Sequence, residues 1–87
     1  MLINNPKKDL ILTDLVDVKT FVNDQECVCL ERNRIKGLKD FSVSLIDTFN
    51  GFLVVSENPE SVESFESYIS ACEYLNEEVL DKMLEKL

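Results

Sequence analysis

A chain of 87 residues, 45% apolar and 30% charged, with only two glycines and two prolines, has the composition of one ordinary globular domain spanning 1–87, and neither a disordered tail nor two cores fit it. It contains no histidine, which removes the commonest general base, the usual activator of serine or cysteine nucleophiles and the commonest zinc ligand. A net charge of −8 repels nucleic acid and anionic lipid and favours a basic partner surface.

In chain order, the polar start from Met1 to Lys8 holds no continuous apolar stretch ahead of its charges, so no secretory signal is expected there. With three cysteines, an odd number, a reducing cytoplasm is the simplest setting. No apolar run approaches the roughly 18–20 residues needed to cross a bilayer, so no membrane is expected as a partner. From Leu10 to Val22, apolar residues at even positions (Leu10, Leu12, Val16, Val18, Val22) predict a strand, although Leu15, Val18 and Val22 also suit a helical face. Glu26 to Glu31 alternates with Val28 and Leu30 on one side and reads as a second strand. Arg32 to Lys39 then reads as a link with a turn at Lys36-Gly37.

The hairpin signal is the clearest: Phe41 to Phe49, then Asn50-Gly51, then Phe52 to Ser56. Asn-Gly tolerates the two positive φ angles of a type I′ turn, which pairs Phe49 with Phe52. Phe41, Val43, Leu45, Phe49, Phe52 and Val54 fall on the core face, with Ile46, Leu53 and Val55 on the other. After it the period changes. Asn58-Pro59 reads as a helix start, with Val62, Phe65, Ile69 and Cys72 at helical spacing. A second start at Asn76 leads into Val79, Leu80, Met83, Leu84 and Leu87. The expected fold is α+β: a small antiparallel sheet of three or four strands followed by two short C-terminal helices covering one face.

The chemistry-bearing residues point away from an enzyme. Paired carboxylates need a substrate cleft that so small a domain seldom encloses. Cys27-x-Cys29 is half a metal site without the other half, and Cys72 reads as a small core residue, so neither metal nor cofactor is expected. Arg32, Arg34, Lys36 and Lys39 lack the interleaved aromatics of an RNA-binding domain and read as a solvated loop, so direct nucleic-acid binding is not expected.

The charge is uneven. Residues 57–87 hold nine acids against Lys82 and Lys86, a net of −7, and residues 1–56 account for only −1. On the expected helices Glu63, Glu66 and Glu73 lie away from the apolar stripe, and Glu77, Asp81 and Glu85 follow at i, i+4, a rise of about 6 Å per step, comparable with the phosphate spacing of a nucleic-acid strand.

The run from Asn50 to Ala71, chiefly Val55, Ser56-Glu57-Asn58, Glu60-Ser61, Val62-Glu63, Phe65 and Ile69-Ser70-Ala71, resembles the last-strand-to-helix segment of a family of small acidic phage anti-CRISPR proteins that inhibit a type II effector nuclease. The resemblance covers about a quarter of the chain. It implies a phage-type host-takeover inhibitor, without chemistry, whose acids occupy a basic nucleic-acid-binding groove such as one that reads a PAM duplex. The candidate partner-binding residues are Glu57, Glu60, Glu63, Glu66, Glu73, Glu77, Asp81 and Glu85, and the expected partner is a basic nucleic-acid-binding protein. The rival reading is a homodimer, higher oligomer or adaptor built on Ile46, Leu53 and Val55 or on an edge strand.

Overall fold

The computed structural model describes residues 6–87, so the start from Met1 to Asn5 lies outside the described part. A short 3₁₀ turn, Pro6–Leu10, leads into five strands: β1 (Ile11–Val22), β2 (Gln25–Ile35), β3 (Ser42–Thr48), β4 (Gly51–Glu57) and β5 (Ser61–Phe65). They form one antiparallel sheet in the order β1-β2-β3-β4-β5, each strand paired with its sequence neighbours. A C-terminal helix follows, made of α1 (Tyr68–Glu73), a π-helical segment (Tyr74–Leu80) and α2 (Asp81–Leu84). The α+β class stands as expected. The strand count is five, not three or four, and one helix replaces two.

The fifth strand comes from a segment whose apolar spacing suggests helix. Asn58 adopts φ +57° and the Ser56 hydroxyl donates to the Pro59 carbonyl at 2.9 Å, so the chain doubles back. Ser61–Phe65 then runs antiparallel to β4, with Val62 opposite Val55 and Phe65 opposite Phe52. The helix starts later, where Ser67 in extended conformation accepts the Ser70 N–H at 3.1 Å and caps the first turn.

The helix does not restart at Asn76. Its side chain donates back to the Cys72 carbonyl at 2.9 Å, and the residues at both junctions keep right-handed helical angles. The Asp81 N–H reaches the Asn76 carbonyl, five residues back, which is the π-type bond. This extra residue per turn keeps Ala71, Leu75, Leu80 and Leu84 on one buried stripe, although Leu75 and Leu80 are five apart.

Two hairpins show what their turns require. Asn23 and Asp24 both have positive φ, 51° and 67°, the pair of angles a two-residue type I′ turn needs between Val22 and Gln25. At the β3–β4 turn the loop is Phe49-Asn50, Thr48 pairs with Gly51, and only Gly51 has positive φ. The turn therefore sits one residue earlier in the chain than expected, Phe52 pairs with Asp47 instead of Phe49, and Phe49 is fully exposed instead of lying in the core. Gly51 is required at its position, because a Cβ there would strike the Phe65 carbonyl of the neighbouring strand.

The helix-covered face carries the main core, including Val43, Leu45, Val54, Leu75 and Leu84. Phe41 and Phe52 also lie on this side, as their alternation predicts. On the other, open face, Ile46, Cys27 and Cys29 are buried together, with Val16, Val22, Leu53 and Val55 packed around them. Irregularities in the β1–β2 pairing between Leu15 and Val18, where Asp17 has φ +49°, and in the β2–β3 pairing between Cys29 and Glu31 sharpen the local twist.

Candidate functional site

Seven of the eight expected acidic residues lie on the helix or on β5 and its flanking turns, and the eighth lies on the opposite face of the sheet. Glu73, Glu77 and Glu85 lie exposed along the helix, with Asp81 half-buried among them. Glu60 sits in the β4–β5 turn, Glu63 in the middle of β5 and Glu66 in the link to α1, all exposed. Glu57 departs from this group: it ends β4 opposite Ser42, on the open face away from the helix. Continuity in sequence with the acidic tail hides that reversal, since period-2 alternation sends Ser56 and Glu57 to opposite faces.

Asp81 has a long ion pair with Lys8 at 3.9 Å. Among the described residues none of the other seven acids of the set is ion-paired. Glu78, outside the set, holds Lys82 at 2.8 Å, and that hydrogen bond and charge raise the Lys82 ammonium above the usual lysine range. At the helix start, the Tyr68 phenol is raised above its ordinary value, first by its hydrogen bond with Cys72 and then by the charge that thiol carries when ionised. Tyr68 also meets the edge of Phe52, with centroids 5.6 Å apart, which seats α1 on β4.

The open face holds features that the sequence reading assigned to a loop. Arg32 to Ile35 continue β2 instead of leaving it, because the irregularity after Cys29 restores alternation one residue out of phase. Cross-strand rows on this face run Leu12, Arg34, Ser42, Glu57 and, beside it, Asp14, Arg32, Ser44, Val55. Next comes the row of Cys29, Ile46 and Leu53. Apart from Asp14 and Leu53, these rows, with the Gly37–Phe41 loop and the end of β1, line a groove of about 1030 Å³. Lys39 lines it and Lys36 does not. An inverted alternation across a bulge is the signal that would have found it, and bulges leave little trace in composition.

Cys27 and Cys29 share one face, as strand spacing predicts, and their thiols donate to the carbonyls of Gln25 at 3.5 Å and Glu31 at 3.6 Å. All three cysteines are free, with Cys72 half-buried against the main core. No helix among the described residues is long and apolar enough to cross a membrane. The chain matches no family model, no curated protein and no solved structure, so these surfaces are read from their geometry and charge alone.

Proposed function

We propose that the protein is a non-catalytic acidic binding protein of phage type, acting in the host cytoplasm, which blocks the basic surface of a nucleic-acid-binding protein by presenting nucleic-acid-like charge. The observation that carries this reading is the run of unpaired, exposed carboxylates along the helix and the adjoining β5 edge: Glu60, Glu63, Glu66, Glu73, Glu77 and Glu85. Carboxylates left without counter-charges gain from a partner that supplies them, and they steer its approach. Glu57, on the opposite face, falls outside this surface.

The test is affinity capture from nuclease-treated bacterial lysate, washed at low and then high salt, with bound proteins identified by mass spectrometry. A basic nucleic-acid-binding protein that salt releases, and that Glu63→Lys, Glu66→Lys and Glu73→Lys together no longer capture, is the expected result. Capture of a salt-resistant partner without a basic groove, or of the chain itself, overturns it.

A second reading, self-association or adaptor binding through an edge strand, draws on β1. This edge strand exposes Leu15 at 85% and Phe21 at 69%, an apolar content that edges usually avoid. The alternative apolar surface, Ile46 with Leu53 and Val55, is less available, because Ile46 is 4% exposed beneath the protein's own side chains.

A further inference from the structure

β1 is the long edge of the sheet. It runs twelve residues, and nothing among the described residues pairs with its outer side, whereas the opposite edge, β5, has five residues with Glu63 at its middle. Glu60, Glu63 and Glu66, on or beside β5, therefore lie at the far edge from β1. β1 itself carries Asp14, Asp17 and Lys19, a net of −1 in a molecule of −8. A second copy of so acidic a chain approaches more readily here than along β5.

The alternation of β1 decides how two copies meet. Val18 pairs with Cys29, and through it aligns with Ile46 on the open face, while Leu15 pairs with Glu31 and aligns with Leu45 on the helix-covered face. Val16 packs with the open-face cluster, so alternation runs through the irregular backbone at Asp17. Even positions share the open side, and Leu15, Asp17, Lys19 and Phe21 share the other. Two such strands paired antiparallel about a two-fold axis keep their faces matched only when the axis passes through a residue that faces its own counterpart. An axis at Asp17 or at Lys19 sets like charges opposite each other, which is destabilising. An axis at Val18 sets Asp17 opposite Lys19 of the second copy and Leu15 opposite its Phe21. Leu15 and Phe21 are the two most exposed apolar residues of the strand. Lys19 already meets Glu26, but at 3.7 Å and with 77% of its side chain exposed, which leaves room for a second carboxylate. With Glu26 counted, Asp17 and Lys19 leave one surplus negative charge per copy at the seam, and the apolar pairs have to offset it.

We propose that the chain forms a homodimer in which residues 14–22 of two copies pair antiparallel about Val18, joining two five-stranded sheets into one. The proposal rests on the edge-strand reading above, names its occupant and register, and leaves β5 uncovered.

Sedimentation equilibrium of the whole chain from about 5 to about 500 μM, in about 150 mM salt, tests it. The expected result is a reversible shift from 10.0 kDa toward twice that mass. Asp17→Lys and Lys19→Asp should each weaken dimerisation about fivefold or more. An equimolar mixture of these two variants should restore it, because each position 17 then faces an opposite charge at position 19 of the other chain. Phe21→Glu, a change at an exposed side chain, should give a monomer with an unaltered urea midpoint, and urea transitions also verify the fold of the charge variants. A wild-type chain that stays at 10.0 kDa throughout overturns the proposal, as does a mixture that associates no more tightly than either variant alone. A dimer that Phe21→Glu leaves intact overturns both the proposal and the edge-strand reading. A monomeric wild type that captures a different protein from lysate, and loses it in Phe21→Glu, overturns the second copy as occupant while the edge-strand reading stands.

Discussion

Asn33 shows how one side chain can tie a sheet together. It is 2% exposed in the middle of β2, where its Oδ1 accepts from the Thr13 hydroxyl of β1 at 2.6 Å. Its Nδ2 donates to Glu31 at 3.0 Å and to the Val43 carbonyl of β3 at 3.4 Å. A buried amide so fully engaged is costly to remove, because its partners lose their hydrogen bonds and a small void remains. Asn33→Ala should destabilise the fold by about 2 kcal/mol, read as a lower urea midpoint with little change in slope. An unchanged midpoint would mean that water replaces the amide without loss. Nothing in the polar run Glu31-Arg-Asn-Arg34 distinguishes this core residue from its solvent-facing neighbours, so sequence patterning placed it in a link. The apolar residues of β3 and β4 were legible because alternation alone fixes their faces, even where the turn register was misjudged at Phe49.

Among the elements, the helix best separates what patterning can read from what it cannot. In a regular α-helix the five residues from Leu75 to Leu80 would advance about 500° and throw Leu80 off the buried stripe. Read without a π turn, that break in phase looks like two helices. The π-helical segment absorbs it within one rod. Deleting solvent-exposed Glu77 restores a four-residue spacing, so it should leave a regular α-helix and a stability within about 1 kcal/mol of the parent. Inserting an alanine beside Glu77 should instead displace Leu80, Met83 and Leu84 and cost several kcal/mol, at roughly 1.5–3 kcal/mol for each large apolar side chain exposed. Urea unfolding followed by circular dichroism compares the two; equal losses would contradict this account. β5 was missed for a related reason: Val62 and Phe65, three apart, mimic a helical stripe, but in the strand they face opposite sides. Val62 is 47% exposed, and Phe65 lies against Tyr74 with centroids 5.1 Å apart.

For the whole molecule, charge sets the response to solution conditions. The described part measures 38 × 30 × 20 Å, so at about 10 mM salt, where the screening length is about 30 Å, acids on the helix and the β5 edge repel one another across it. At about 150 mM that length falls to about 8 Å and the repulsion becomes local. Thermal unfolding should therefore shift upward as salt rises over this range; a downward shift, read by calorimetry, would mean that attractive pairs such as Arg34–Asp14 outweigh the acidic surplus. At this scale the class of fold and the placing of the helix after the sheet were legible, because the switch from period 2 to helical period survives in the sequence. The groove was not, since the irregular pairing after Cys29 that turns Arg32 and Arg34 onto the open face leaves no trace in residue spacing.

The strand order has a consequence for how the chain finds its fold. Every strand pairs with the one before it, across connections of two residues at 23–24, six at 36–41, two at 49–50 and three at 58–60. Loops this short cost little entropy to close, so each hairpin can form before any distant segment arrives, and the sheet can grow one strand at a time. The helix, last in sequence, closes one face of this sheet, with Leu75, Leu80 and Leu84 as its seal. In a β-rich chain wired this way every strand finds its partner next to it in the sequence, which is the arrangement that lowers the entropy of pairing most.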